Sequence, residues 1–239
     1  MSKVRFFSIL LAVFALTLAV SASPVEFCTG STVNGYVSGT SWTTGGILVS
    51  SAPGGPECKT QSSVIPGGDV SGLGVSGKTS GEIDNGETIT LDFGGSVNLE
   101  SFEIIVFYNG PEFGDPAEKG YLDVWFAGGG GPTTYYFEAD PIVNTVLTTD
   151  LGGTYTNISP MTADNAGWFR FDNPFGALNV TKLRYTAENN PNGTNNSDYA
   201  LKSVTYVAGA TEDVPEPATF ALMGLGLLAV GVLRRRTAA

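Results

Sequence analysis

From Thr88 onward the chain alternates between apolar and polar positions. In "TITLDF" the residues Ile89, Leu91 and Phe93 share one face, and Thr88, Thr90 and Asp92 share the other. That period of two is the mark of a half-buried strand. "VNLESFEIIVFY" (97–108) puts Phe102, Ile104 and Val106 on one face, then turns apolar on both sides, as a central strand does. "YLDVWFA" (121–127) alternates Leu122, Val124 and Phe126 against Tyr121, Asp123 and Trp125. "TTYYFEA" (133–139), "IVNTVL" (142–147), "GWFRFD" (167–172), "VTKLRYTA" (180–187) and "YALKSVTYV" (199–207) continue the pattern. Upstream, "STVNGYVS" (31–38) and "GILVSS" (46–51) read as strands. Residues 52–81 are dense in Gly, Ser and Pro and read as a long loop with one short strand near Val64.

Turn signals stand between these runs, such as "GGGGP" at 128–132 and "NNPNGTNNSD" at 189–198. No segment of the body shows a sustained 3.6-residue period. Short strands joined by glycine-rich turns predict an all-β fold, an antiparallel β-sandwich of jelly-roll-like type. No internal repeat points to a solenoid or propeller.

The two ends follow other rules. Lys3 and Arg5 precede an apolar run of 15 residues, Phe6 to Val20, then "SAS". A basic start, a short apolar core and a small-residue exit predict a signal peptide over 1–22. The run is shorter than the roughly 20 residues of a membrane span. At the other end, Val214, Pro215, Glu216 and Pro217 precede an apolar segment, 218–233, closed by Arg234, Arg235 and Arg236. The segment reads as a transmembrane helix, and the arginines act as a stop that keeps the body on the far side of the membrane. This three-part tail, 214–239, resembles the PEP-CTERM sorting signal of bacterial surface proteins. The resemblance implies processing by an exosortase near Val214–Pro217 and transient anchoring by the helix. Between the ends lie a 23–207 β-sandwich ectodomain and a 208–213 linker. "GLGV", "GEIDNGETITLDFG" and "SDYALKSVTYV" also look like segments of the β-rich ectodomains of that family.

Export changes how the motifs read. "GLGVSGKT", Gly72 to Thr79, fits the G-x-x-x-x-G-K-[ST] phosphate loop letter for letter. A working phosphate loop opens a helix after a buried strand. Here a Pro- and Gly-containing stretch precedes it, Gly81 and Gly86 follow it, and an exported chain meets no ATP pool. No nucleotide is expected. Cys28 and Cys58 are the two cysteines and, in an oxidising compartment, predict a disulfide closing a loop of about 30 residues. The chain contains no histidine, which removes Ser-His-Asp and Cys-His catalysis, His-ligated zinc and His-based pH switching. The formal net charge is −11, and five of the twelve basic residues lie in the end segments, so the body is strongly acidic. Such a surface repels nucleic acid and anionic lipid.

Three kinds of chemistry stay open. "EIDNGE" offers Glu82, Asp84, Asn85 and Glu87 as hard oxygen donors for calcium, with Asp198 as a further ligand near the last strand. The plain reading of the same stretch is a hairpin turn, with Asp84, Asn85 and Gly86 supplying left-handed geometry. Trp42, Trp125, Tyr135, Tyr136 and Trp168 are candidates for a sugar-binding surface, or else core aromatics. Paired carboxylates for glycoside hydrolysis are not excluded by sequence. The expectation is a non-catalytic surface or extracellular-matrix protein associated with exopolysaccharide. The alternatives are a carbohydrate-binding module with a structural calcium and a carboxylate-based glycan hydrolase.

Overall fold

The computed structural model of the chain describes residues 22–65, 68–108, 117–140, 147–159, 167–188 and 197–209. The expected signal peptide, linker end and sorting tail lie outside these residues, as does most of "IVNTVL". Among the described residues fifteen strands run in chain order: β1 (Val25–Glu26), β2 (Cys28–Thr29), β3 (Thr32–Val33), β4 (Ser41–Thr44), β5 (Ile47–Ala52), β6 (Pro56–Ile65), β7 (Gly68–Val75), β8 (Thr88–Ile105), β9 (Lys119–Phe126), β10 (Thr133–Ala139), β11 (Leu147–Thr149), β12 (Thr154–Asn157), β13 (Phe169–Asp172), β14 (Asn179–Ala187) and β15 (Ala200–Ala208). No helix occurs among the described residues. The fold is all-β and antiparallel, as the alternation predicts.

Strand β8 organises the molecule. Its first half, Thr88–Asp92, pairs with β5 on one side and β14 on the other. Its second half pairs with β13 and β15. Between them the register against β14 jumps from Asp92 opposite Lys182 to Val97 opposite Val180. The extra residues include Gly94, whose φ of 66° only glycine adopts without strain. The bulge lets one strand serve two layers. The first layer runs β4-β5-β8-β14-β9-β10-β11, and the second runs β12-β13-β8-β15-β7-β6 with β1 beside β15. The chain crosses between layers repeatedly, as in a jelly roll, but the shared strand joins them into one hydrogen-bonded sheet.

The layers face each other across an aromatic core. Phe102 of the second layer stacks on Phe171 at 4.5 Å and meets Phe137 and Tyr185 of the first at 6.3 and 5.7 Å. Phe107 and Tyr199 close one end against Phe137. Ile89, Leu91, Leu122, Val124, Leu183, Leu73 and Leu201 are fully buried around them. Each buried large apolar side chain stabilises by roughly 1.5–3 kcal/mol over its exposed form.

Three expectations need correction. Residues 52–81 are not a long loop: β6 and β7 form a hairpin in which Cys58 pairs with Leu73 and Thr60 with Ser71. Val106 does not join Phe102 and Ile104; its φ of 61° ends the strand, and it packs instead with Val70, Ile105 and Ala200 in a smaller cluster. "STVNGYVS" holds only the two-residue β3, and the rest is turn and irregular chain. Of the two readings given for Trp42 the structure has the core one: it lies in β4, 6% exposed, with its indole N–H on the Asn34 carbonyl at 3.1 Å.

The predicted disulfide is present. Cys28 of β2 bonds to Cys58 of β6, with the Cα atoms 6.0 Å apart. It ties the N-terminal segment to the β6–β7 hairpin.

Candidate functional site

The phosphate-loop look-alike is a strand followed by a turn. Gly72 to Val75 belong to β7, and the chain then bends back so that Val75 N–H reaches the Glu82 carbonyl at 2.8 Å. No helix opens at Lys78. The amides of this turn are nevertheless paired with anions. Lys78 N–H donates to Glu87 Oε1 at 2.9 Å, and Thr79 N–H donates to Asp84 Oδ2 at 2.7 Å. Asp84 N–H donates to Glu87 Oε2 at 3.1 Å. The chain's own carboxylates therefore fill the place a phosphate would need.

This bears on the candidate calcium residues. Asp84 and Glu87 lie on one turn, and both are buried. The Glu87 N–H meets the Asp84 carbonyl at 2.9 Å, and Gly86 alone supplies the left-handed φ, at 84°. Asp84 and Asn85 keep ordinary backbone, so the turn is of type II with glycine at its third position. The Asn85 carbonyl accepts from Lys78 Nζ at 2.9 Å. Glu82 is buried against Lys59 Nζ at 2.6 Å. The structure also brings the neighbourhood of Asp198 to this turn, because Ile83 N–H donates to the Tyr199 carbonyl at 2.6 Å. Asp198 N–H itself donates to Glu118 Oε2 at 2.6 Å. Both oxygens of Glu87 and one of Asp84 are committed to backbone amides, and Asp84 Oδ1 is buried without a hydrogen-bond partner. Calcium takes six to eight oxygens. Among the described residues no group of three or more acidic or cysteine side chains converges on a cation-sized point. The arrangement works as an internal clasp that folds the turn onto the sheet.

The aromatic candidates divide by face. Tyr135 packs on Phe126 and Phe175 at 6.5 and 5.4 Å and belongs to the apolar interior. Trp125 and Tyr136 stand on the outer face of the first layer, beside Tyr121. Cations cover them. Lys182 and Arg184 lie 5.7 and 5.5 Å over Trp125, and Lys119 lies 5.1 Å over Tyr136. The cations are paired in turn: Arg184 with Asp123, Lys182 with Asp92 and Lys119 with Glu138. Burial and the nearby Glu188 carboxylate push the Tyr121 hydroxyl above its ordinary range. This face is a self-satisfied ladder of charge over rings.

Trp168 is placed differently. It sits on the outer face of the second layer at the edge of a recess of about 270 Å³, walled by Glu26, Thr29, Asp69, Ser71 and Lys202. The Trp168 indole N–H donates to Glu103 Oε2 at 2.9 Å. Lys202 Nζ lies 5.3 Å over the indole, 2.7 Å from Glu26 Oε1 and 3.9 Å from Glu103 Oε2. Cys28 lines the same recess, so the disulfide anchors one wall. Alternation in "GWFRFD" puts Trp168 outside, but the partners from β1, β7 and β15 are brought to it by topology alone.

No curated protein and no solved structure matches the chain. A family model described as the PEP-CTERM protein-sorting motif matches residues 213–236. The match spans Val214–Pro217, the apolar segment and the three arginines, and the chain carries a PEP-CTERM sorting motif.

Proposed function

We propose that the chain is an exported, non-catalytic β-sandwich protein of the bacterial surface or extracellular matrix, associated with exopolysaccharide. The sorting motif at residues 213–236 carries this reading, since that motif implies export and processing by an exosortase. The apolar segment 218–233 anchors the chain in the membrane until it is cut, with Pro215, Glu216 and Pro217 as the recognition element. The acidic clasp and the disulfide serve an ectodomain that works outside the cell, where neither cytoplasmic nucleotide nor reducing thiol is at hand. Fractionation of producing cells tests it. The wild-type chain is expected at the surface or in the matrix, and a Glu216→Ala variant is expected to accumulate uncut in the membrane. Equal release of both would overturn the reading.

A carbohydrate-binding role is the second reading. One observation favours it: the recess at Trp168 combines an aromatic wall with several hydrogen-bonding side chains.

A further inference from the structure

We infer that the recess at Trp168 is a binding subsite for one residue of a neutral glycan. The inference rests on the proposed exopolysaccharide association and gives it a location. A pyranose ring presents two chemistries at once. Its C–H face is apolar, and its hydroxyls both donate and accept hydrogen bonds. The recess offers both. Trp168 supplies the aromatic wall, with Lys202 Nζ 5.3 Å over its ring as the neighbouring donor. Glu26 and Asp69 accept, Lys202 donates, and Thr29 and Ser71 do either.

Size and charge narrow the ligand. At about 270 Å³ the recess lies just under the roughly 300–1,000 Å³ of pockets for drug-sized ligands, so it holds a single sugar residue rather than a long segment. Two carboxylates stand in its wall against one lysine, and Glu103 stands behind that lysine. The surplus of negative charge disfavours uronate, sulfated and phosphorylated glycans.

The walls are also set in advance. Glu103 takes the Trp168 indole N–H and faces Lys202, while Glu26 holds the lysine from the other side. The Cys28–Cys58 bond fixes β2, which carries Thr29, to the hairpin that carries Asp69 and Ser71. Side chains already held in place lose little freedom on binding, which favours affinity.

The test uses the full-length protein in a sugar-free detergent with its disulfide formed. Binding is measured to immobilised neutral glucan, galactan, mannan and xylan, and to polygalacturonate. Saturable binding to at least one neutral glycan is expected, with none to polygalacturonate. Trp168→Ala should weaken binding by roughly tenfold or more, as loss of a central aromatic contact does. Trp168→Phe should retain part of it. Trp125→Ala, on the other layer, should leave it unchanged. Asp69→Asn, an exposed change on the wall, should weaken binding even where Trp168→Ala fails to fold. Wild-type binding that survives both Trp168→Ala and Asp69→Asn would overturn the site while leaving the exopolysaccharide association standing. Absence of wild-type binding to every neutral glycan would overturn both, and export and sorting would stand. Preferential binding to polygalacturonate would overturn the neutral ligand.

Discussion

A side chain at Gly77 would overlap Glu87 Oε1, the oxygen that accepts from Lys78 N–H. Gly77→Ala should therefore push the buried Glu87 carboxylate off two backbone amides. Leaving buried polar groups without partners costs about 1–3 kcal/mol each, so a loss of roughly 2 kcal/mol or more is expected in a urea melt. The same geometry bears on calcium. Both oxygens of Glu87 and Oδ2 of Asp84 are already held by backbone N–H groups, which leaves Asp84 Oδ1 as the one oxygen of the pair without a donor, too few for calcium. A chelator is expected to leave the melting temperature unchanged, and a rise of several degrees on adding calcium would contradict this. The sequence marks Glu82, Asp84 and Glu87 as a turn rich in oxygen donors. It hides what Asp84 and Glu87 bind, because their partners are the main-chain amides of Lys78, Thr79 and Asp84, and backbone donors carry no letter. The look-alike and the acidic turn read as two separate motifs, yet they are two halves of one clasp.

At the scale of elements, the alternating strands were legible and the β6–β7 hairpin was not. Its glycines look like loop punctuation, but they are sites of close approach. A Cβ at Gly72 would stand 2.9 Å from Ile105 Cγ1 and 3.0 Å from Ala200 Cβ, and one at Gly74 would overlap the Gly81 carbonyl. The disulfide was legible because two cysteines in an exported chain leave one pairing, and it now secures this glycine-rich hairpin. Replacing both cysteines, Cys28→Ser with Cys58→Ser, should lower stability by about 3 kcal/mol in an equilibrium melt. The bend of β8 makes a second prediction. Burial raises the Asp92 carboxyl, but the Gly94 N–H and Lys182 outweigh it and hold the group below its ordinary value of 3.8. A depressed folded value means that its stabilisation is present above the unfolded value and is lost as pH falls through the folded one. Asp92→Asn should therefore melt below the wild type near neutral pH, and the gap should close as the pH falls below the ordinary carboxyl value and through the depressed folded one.

On the scale of the whole molecule, sequence and structure describe different parts of the chain. The alternation gave the class of fold, and the sandwich follows from it. The assembly of Glu26, Asp69, Trp168 and Lys202 around one recess was not legible, because those residues come from four separate segments and meet only through strand order. The tail reads the other way. Its signal is linear and local, so Val214–Pro217, the apolar segment and Arg234–Arg236 are legible without any fold, and the family match over 213–236 rests on the same residues. The central claim is that this tail sorts the exported chain and is then removed. The most direct measurement is the intact mass of the protein recovered from the surface or medium of the producing cells. The account predicts a chain that ends at or near Val214–Pro217 and lacks the apolar segment and the arginines. A surface protein whose mass includes every residue through Ala239 would contradict it.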